Sequence, residues 1–168
     1  LGGYSNLVGL AGINLPSDGD EGNSAKAIQK INSLSFFENN ILTNIYLPNL
    51  MAVKSWNPKT NKLAYDENIF NVDNNIWVRD SSYPRQKTPS AQESFQVFIA
   101  KHISLSEDKA TGFTTLSIKH QSPFVAKQWA ELVVNEVNSF YRQKDKAESE
   151  KAVSYLNEQI SMTGFSEI

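Results

Sequence analysis

From Phe124 to Thr163 the chain contains neither glycine nor proline, and this uninterrupted stretch constrains the fold more than any other feature. Ser122 is a good N-cap, and Pro123 suits the first helical position, where its missing N–H costs nothing. One helix of about 40 residues is predicted, spanning roughly 60 Å at 1.5 Å per residue. A compact chain of 168 residues has a diameter of only about 40 Å. The helix therefore has to project beyond the body that anchors it.

Its composition changes along its length. Ala126, Trp129, Ala130, Val133, Val137, Phe140 and Tyr141 make a broad apolar stripe that predicts packing on the rest of the chain. Between Arg142 and Lys151 only Ala147 is apolar. Lys144 with Glu148 and Lys146 with Glu150 lie four apart, in the weaker lysine-first orientation. A lone helix this polar is marginal, so partners along its flank are expected. Val153, Leu156 and Ile160 restore a narrow stripe for one of them.

The chain before this helix reads as a mixed base. Residues 1–23 are rich in Gly, Asn and Asp and predict an irregular segment. Ser24 can cap a short helix carrying Ile28, Ile31 and Leu34, and Ser35 a second with Phe37, Ile41, Leu42 and Ile45, stopped by Pro48. Prolines 58, 84 and 89 and Asn-rich turns break the pattern from Lys54 to Pro89, leaving Ile76-Trp77-Val78 as its one strand-like piece. Ser90-Ala91-Gln92-Glu93 fits a capping box, followed by Phe95, Phe98, Ile99 and His102 at helical spacing. Alternating, β-branched runs on either side of Glu107–Gly112 predict a β-hairpin. The fold class is α+β: a small α/β base over residues 1–122 with short helices and a β-hairpin, then one long projecting helix over 123–168.

Function classes narrow by elimination. Sixteen Lys+Arg against eighteen Asp+Glu give a net charge of −2, which disfavours a nucleic-acid partner. The absence of cysteine removes thiol nucleophiles, Cys-zinc sites and disulfides together. No serine sits in a nucleophile-elbow motif and no phosphate-binding Gly-rich loop occurs, so no catalytic residues and no cofactor are expected. Asp18, Asp20 and Glu21 suggest a calcium loop, but Gly22, Asn23 and Gln29 stand where its spacing needs other residues, so no metal is expected. His102 and His120 lie at element edges near the hairpin and can meet in space, as packing or surface histidines. Trp129, Phe140 and Tyr141 read as core. Trp56, Trp77 and Tyr83, in loop-like sequence, read as the more exposed aromatics.

Several runs carry a family resemblance. Lys87-Thr88-Pro89-Ser90-Ala91-Gln92-Glu93, Ser106-Glu107-Asp108-Lys109-Ala110-Thr111-Gly112-Phe113 and His120-Gln121-Ser122-Pro123-Phe124-Val125-Ala126-Lys127-Gln128-Trp129, with Asn138, closely resemble Wzz-type polysaccharide chain-length determinants, also called polysaccharide co-polymerases. The opening Leu1–Ile13, the segment Ala27–Ile41, Tyr155–Ile160 and Thr163–Ile168 are similar to the family's Gly-rich segment, first short helices and long helix. The match is patchy from Asn49 to Tyr83.

The resemblance implies an inner-membrane protein whose periplasmic base carries a long helical hairpin. The present chain, which opens at Leu1, is then a periplasmic piece of it, holding the hairpin's first arm. Leu1 to Ser17 is too polar to span a membrane, so anchoring helices would lie outside this piece. Subunits would form a homo-oligomeric ring beside a Wzy-type polymerase acting on lipid-linked polysaccharide, and regulate O-antigen and lipopolysaccharide chain length without catalysing a reaction. The alternative is a co-polymerase of capsule or exopolysaccharide export with a cytoplasmic tyrosine kinase outside this chain. In either case Arg142, Lys144, Glu148, Lys151 and Tyr155 are the candidate oligomer- or polymer-facing surface of the helix.

Overall fold

The computed structural model describes residues 20–108, 110, 111 and 113–163. The expected irregular segment lies almost wholly outside these residues, except that its last residues are already helical. Helix α1 runs Asp20–Ile31, four residues ahead of the expected Ser24 cap. Ser33, not Ser35, opens the next helix. Its hydroxyl donates to Lys30 O at 2.7 Å and accepts from Phe36 N–H, so one side chain joins the end of α1 to the start of α2, Leu34–Phe36.

The chain then widens into a π-helical turn, Phe37–Ile41, and tightens into a 3₁₀ turn, Leu42–Asn44. A π turn carries an extra residue, so Phe36, Phe37 and Ile41 can all face inward, and all three are fully buried. Pro48 does not stop this segment. The backbone is already extended at Ile45 and Tyr46, and Pro48 sits in the first turn of a new short helix, α3, Leu47–Met51, where a proline is tolerated.

The region from Lys54 to Pro89 holds more order than its sequence pattern predicts. Strands β1 (Val53–Asn57) and β2 (Lys62–Tyr65) form one antiparallel hairpin, and β3 (Phe70–Asn71) and β4 (Ile76–Trp77) a smaller one. Asparagine makes both turns: Asn61 and Asn75 adopt positive φ, which asparagine tolerates better than most residues. Tyr46, Tyr65 and Trp77 pack their rings around buried Phe70 at 5.0–6.2 Å, a satellite aromatic cluster. Tyr65 donates its hydroxyl to Asn49 at 2.7 Å, and burial, with a smaller contribution from Tyr46, raises its pKa.

Arg79 ties the following loop down. Its guanidinium pairs with Glu93 and donates to the carbonyls of Gln86 and Lys87. That pairing holds the Glu93 carboxyl below its ordinary pKa. Half of the expected capping box therefore forms: Ser90 Oγ accepts from Glu93 N–H at the start of α4, Ala91–Val97, while the Glu93 side chain turns to Arg79.

A second π turn, Phe98–His102, ends α4, and the chain passes directly into the expected hairpin of β5 (Ile103–Glu107) and β6 (Thr114–Ile118). Their register pairs Ile103 with Ile118 and Leu105 with Leu116, so the apolar side chains share the face turned to the core. The two π turns meet through Phe37 and Phe98, whose ring centroids are 5.2 Å apart.

Helix α5, Pro123–Thr163, is the expected long helix, 41 residues in length. Ala126 N–H bonds to the Ser122 carbonyl, the first bond expected after a cap at Ser122. Trp129, Val133 and Val137 recur every fourth residue and enter the core beside Ile31, Phe36, Phe37 and Phe98. Asn40 donates to Glu136 at 3.0 Å at the edge of this contact. From residue 142 to residue 162 every position is exposed, an arm of 21 residues and roughly 32 Å. The architecture is α+β, with short helices and three separate two-stranded hairpins around the first half of a helix that runs on beyond them. Among the described residues no helix is long and apolar enough to cross a membrane.

Candidate interaction surfaces on the arm and at its root

The arm presents two unlike faces. At about 100° per residue, with Arg142 as origin, Lys144, Glu148, Lys151 and Tyr155 fall within a sector of about 180–240°. Trp129, Val133 and Val137 occupy nearly the same sector lower on the helix, at about 140–220°. Four of the five residues expected to share an interaction surface thus continue the side on which the base packs. Arg142 does not join them. It points the opposite way, and its Nε–H donates back to the Asn138 carbonyl at 3.3 Å. Val153, Leu156 and Ile160 lie within about 40° of Arg142, on the side away from the base.

Both faces are solvated. Lys144 and Glu148 approach to 3.7 Å and Lys146 and Glu150 to 3.8 Å, with all four side chains largely in water, so each pair contributes only a few tenths of a kcal/mol. Tyr155 is 60% exposed and Ile160 67%. Both faces of residues 142–162 are exposed among the described residues. At the arm's root, Lys30 places its ammonium 4.0 Å from the Phe140 ring centroid, and Lys144 lines a groove with Lys30, Ser33 and Tyr141. Burial raises the Tyr141 pKa there.

A second cluster forms where the hairpin meets the helix. His102 and His120 do come together, with ring centroids 5.8 Å apart, and both rings stand edge-on to Trp129 at 5.4 and 5.0 Å. The backbone sets both tautomers. Ser122 N–H donates to His120 Nδ1 at 3.0 Å, leaving the proton on Nε2, which donates to Asn49 O at 2.9 Å. His102 Nδ1–H donates to Lys119 O at 2.7 Å. Burial pushes the His102 pKa down, aided by the His120 and Lys101 charges and opposed by the Lys119 and Leu50 backbone. These rings are committed to packing and to backbone groups, as the structural reading of the two histidines expects. Among the described residues no group of three His, Asp or Glu is placed to hold a metal ion. Asp18 of the suggested calcium loop lies outside the described residues, and Asp20 is helical.

Of the three loop aromatics, only Tyr83 is well exposed, at 98%. Trp56 donates to Asn61 and packs near Phe124, and Trp77 lies on Phe70. Sequence reasoning passed over Lys101 and Lys119, which sit beside the two histidines. The legible signal was the repeated dipeptide Lys-His, at 101–102 and 119–120, placed at the two open ends of one hairpin. No family model matches the chain, and no curated protein or solved structure is significantly similar to it.

Proposed function

We propose that this chain is part of a non-catalytic, oligomeric inner-membrane scaffold that regulates O-antigen and lipopolysaccharide chain length beside a Wzy-type polymerase. The observation that carries the proposal is the 21-residue exposed arm with a charged-tyrosine face on one side and a Val153–Leu156–Ile160 face on the other. A polar helix of this length is poorly stable alone, so neighbours on both faces suit it, as in a ring of like subunits. The sequence resemblance to Wzz-type chain-length determinants supplies the biological setting, and the α+β base with a projecting helix agrees with it. In this reading the base and arm pack side by side around the ring, and this segment lies in the periplasm.

The test is genetic. Deleting the full-length gene and resolving surface polysaccharide on a silver-stained gel should collapse a cluster of preferred lengths into a monotonic ladder. Complementation should restore the cluster, and complementation with Leu156→Asp and Ile160→Asp together should not. An unchanged ladder in the deletion strain refutes the proposal.

A further inference from the structure

Beside the two histidines lies a half-open cleft of about 630 Å³ that the proposed scaffold role does not use. Its charged and polar wall is made by Arg79, Lys101, Lys119 and Gln121 with the two imidazoles, and no carboxylate lines it. Leu50, Met51, Val53, Ile69 and Val97 give the same cleft an apolar share of its lining. Such a mixed lining fits a ligand with an anionic group and an apolar or neutral body.

The donors that remain free define the anion. Arg79 spends its guanidinium on Glu93 and on the Gln86 and Lys87 carbonyls, so no planar fork is left for bidentate pairing with a carboxylate. Both imidazoles are held by backbone groups. Lys101 and Lys119 are different. Both ammonium groups are solvent-exposed, and among the described residues neither has a carboxylate within ion-pair distance. The pairing of His102 with Lys119 at the open end of the β5–β6 hairpin brings both lysines, 18 positions apart in sequence, into the lining of one cleft. Two independent point charges lining one cleft suit a tetrahedral dianion better than a planar monoanion.

We propose that this cleft binds a phosphate monoester, with the phosphate between Lys101 and Lys119 and the organic body against Leu50, Val53 and Ile69. The chemistry is shared by a small sugar phosphate and by a phosphomonoester lipid headgroup. The site does not depend on assembly of the arm, so it stands or falls apart from the scaffold reading.

The experiment titrates the ¹⁵N-labelled 168-residue chain with glucose 1-phosphate, glucose and glucuronate, and measures co-sedimentation with phosphatidylcholine vesicles containing phosphatidic acid. Glucose 1-phosphate should shift the amides of Lys101, Lys119 and Gln121, and glucose should not. The K101A/K119A double variant should bind at least about tenfold more weakly, as loss of two charge-assisted contacts implies. Lys127→Ala, on an exposed lysine elsewhere, should leave binding unchanged. Vesicle binding that needs Lys101 and Lys119, without glucose 1-phosphate binding, also supports the site and assigns the ester to a lipid. The proposal is overturned if neither probe binds, if K101A/K119A binds as wild type, or if glucuronate binds as tightly as glucose 1-phosphate.

Discussion

The two halves of helix α5 have the same secondary structure for different reasons. In the lower half Trp129, Val133 and Val137 are buried among phenylalanines, and tertiary packing holds the backbone helical. In the upper half none of residues 142–162 is buried, and the helix rests on local propensity and local contacts such as two solvated lysine-first ion pairs. A continuous helix therefore does not imply continuous stability. The lower half belongs to the folding unit of the base, and the upper half is conditional on what lies beside it.

The largest expected effect tests that contrast directly. Trp129→Ala removes a side chain that is 2% exposed and touches Phe98 and both histidines, and should cost about 3–5 kcal/mol in urea unfolding of the chain. Tyr155→Ala, on the arm, should change the same measurement by less than about 0.5 kcal/mol. Equal losses from the two would mean that the arm is packed in solution, by a contact within the chain or with a second copy.

Ion pairs give the next contrast. Arg79 and Glu93 are only 16% and 23% exposed in their side chains, and two backbone carbonyls share the guanidinium. Arg79→Ala strands a partly buried carboxylate and should cost about 1–3 kcal/mol by urea unfolding. Lys144→Ala, whose partner Glu148 is open to water, should cost a few tenths at most. Arg79→Ala at the cost of Lys144→Ala would show that the loop it anchors contributes nothing to the base.

A lesser effect belongs to His102. Its pKa is lowered in the folded chain, chiefly by burial, below the ordinary value of about 6.5 that it has when unfolded. The unfolded chain then binds the proton first as pH falls. The contribution of neutral His102 is complete above about pH 6.5 and is lost as pH drops through the folded pKa. Urea midpoints should fall from pH 7 toward pH 5, less steeply in His102→Gln. A ring titration by NMR that places His102 above 6.5 would reverse the sign and refute this account. The arm carries no histidine, so its helicity should not follow the same curve.

The legible parts of the fold were those with long-range consistency in the pattern. The Ser90 cap, the alternation around Glu107–Gly112 and the Gly- and Pro-free run after Pro123 each appear where the sequence predicts them. Ile76-Trp77 forms a strand as expected, but its partner Phe70–Asn71 and the whole β1–β2 hairpin escaped notice because their turns use Asn61 and Asn75 at positive φ in place of glycine. The π turns at Phe37 and Phe98 were also hidden. Each inserts one residue without removing the apolar side chains from the core, so their spacing reads as an ordinary helix. Of the five candidate surface residues, Lys144, Glu148, Lys151 and Tyr155 lie on one side of the arm and Arg142 on the other, a division that follows from their helical spacing once the helix is continuous. The cationic cleft depends on pairing across a hairpin, which adjacency in sequence does not reveal.

The smallest effect tests how little holds the arm by itself. The Lys144–Glu148 and Lys146–Glu150 pairs run lysine-first, and glutamate-first pairs oppose the helix dipole less. Exchanging the residues within each pair (K144E/E148K and K146E/E150K) keeps composition and net charge, and should stabilise the arm by about 0.2–0.5 kcal/mol per pair. Slower amide exchange from residue 144 onward should report it, with no change in the exchange of Trp129 or Val133. The gain should vanish at 1 M salt, where screening reaches about 3 Å. If exchange in the arm is already as slow as in the base before the swap, a partner is holding the arm in solution, and dilution should then release it.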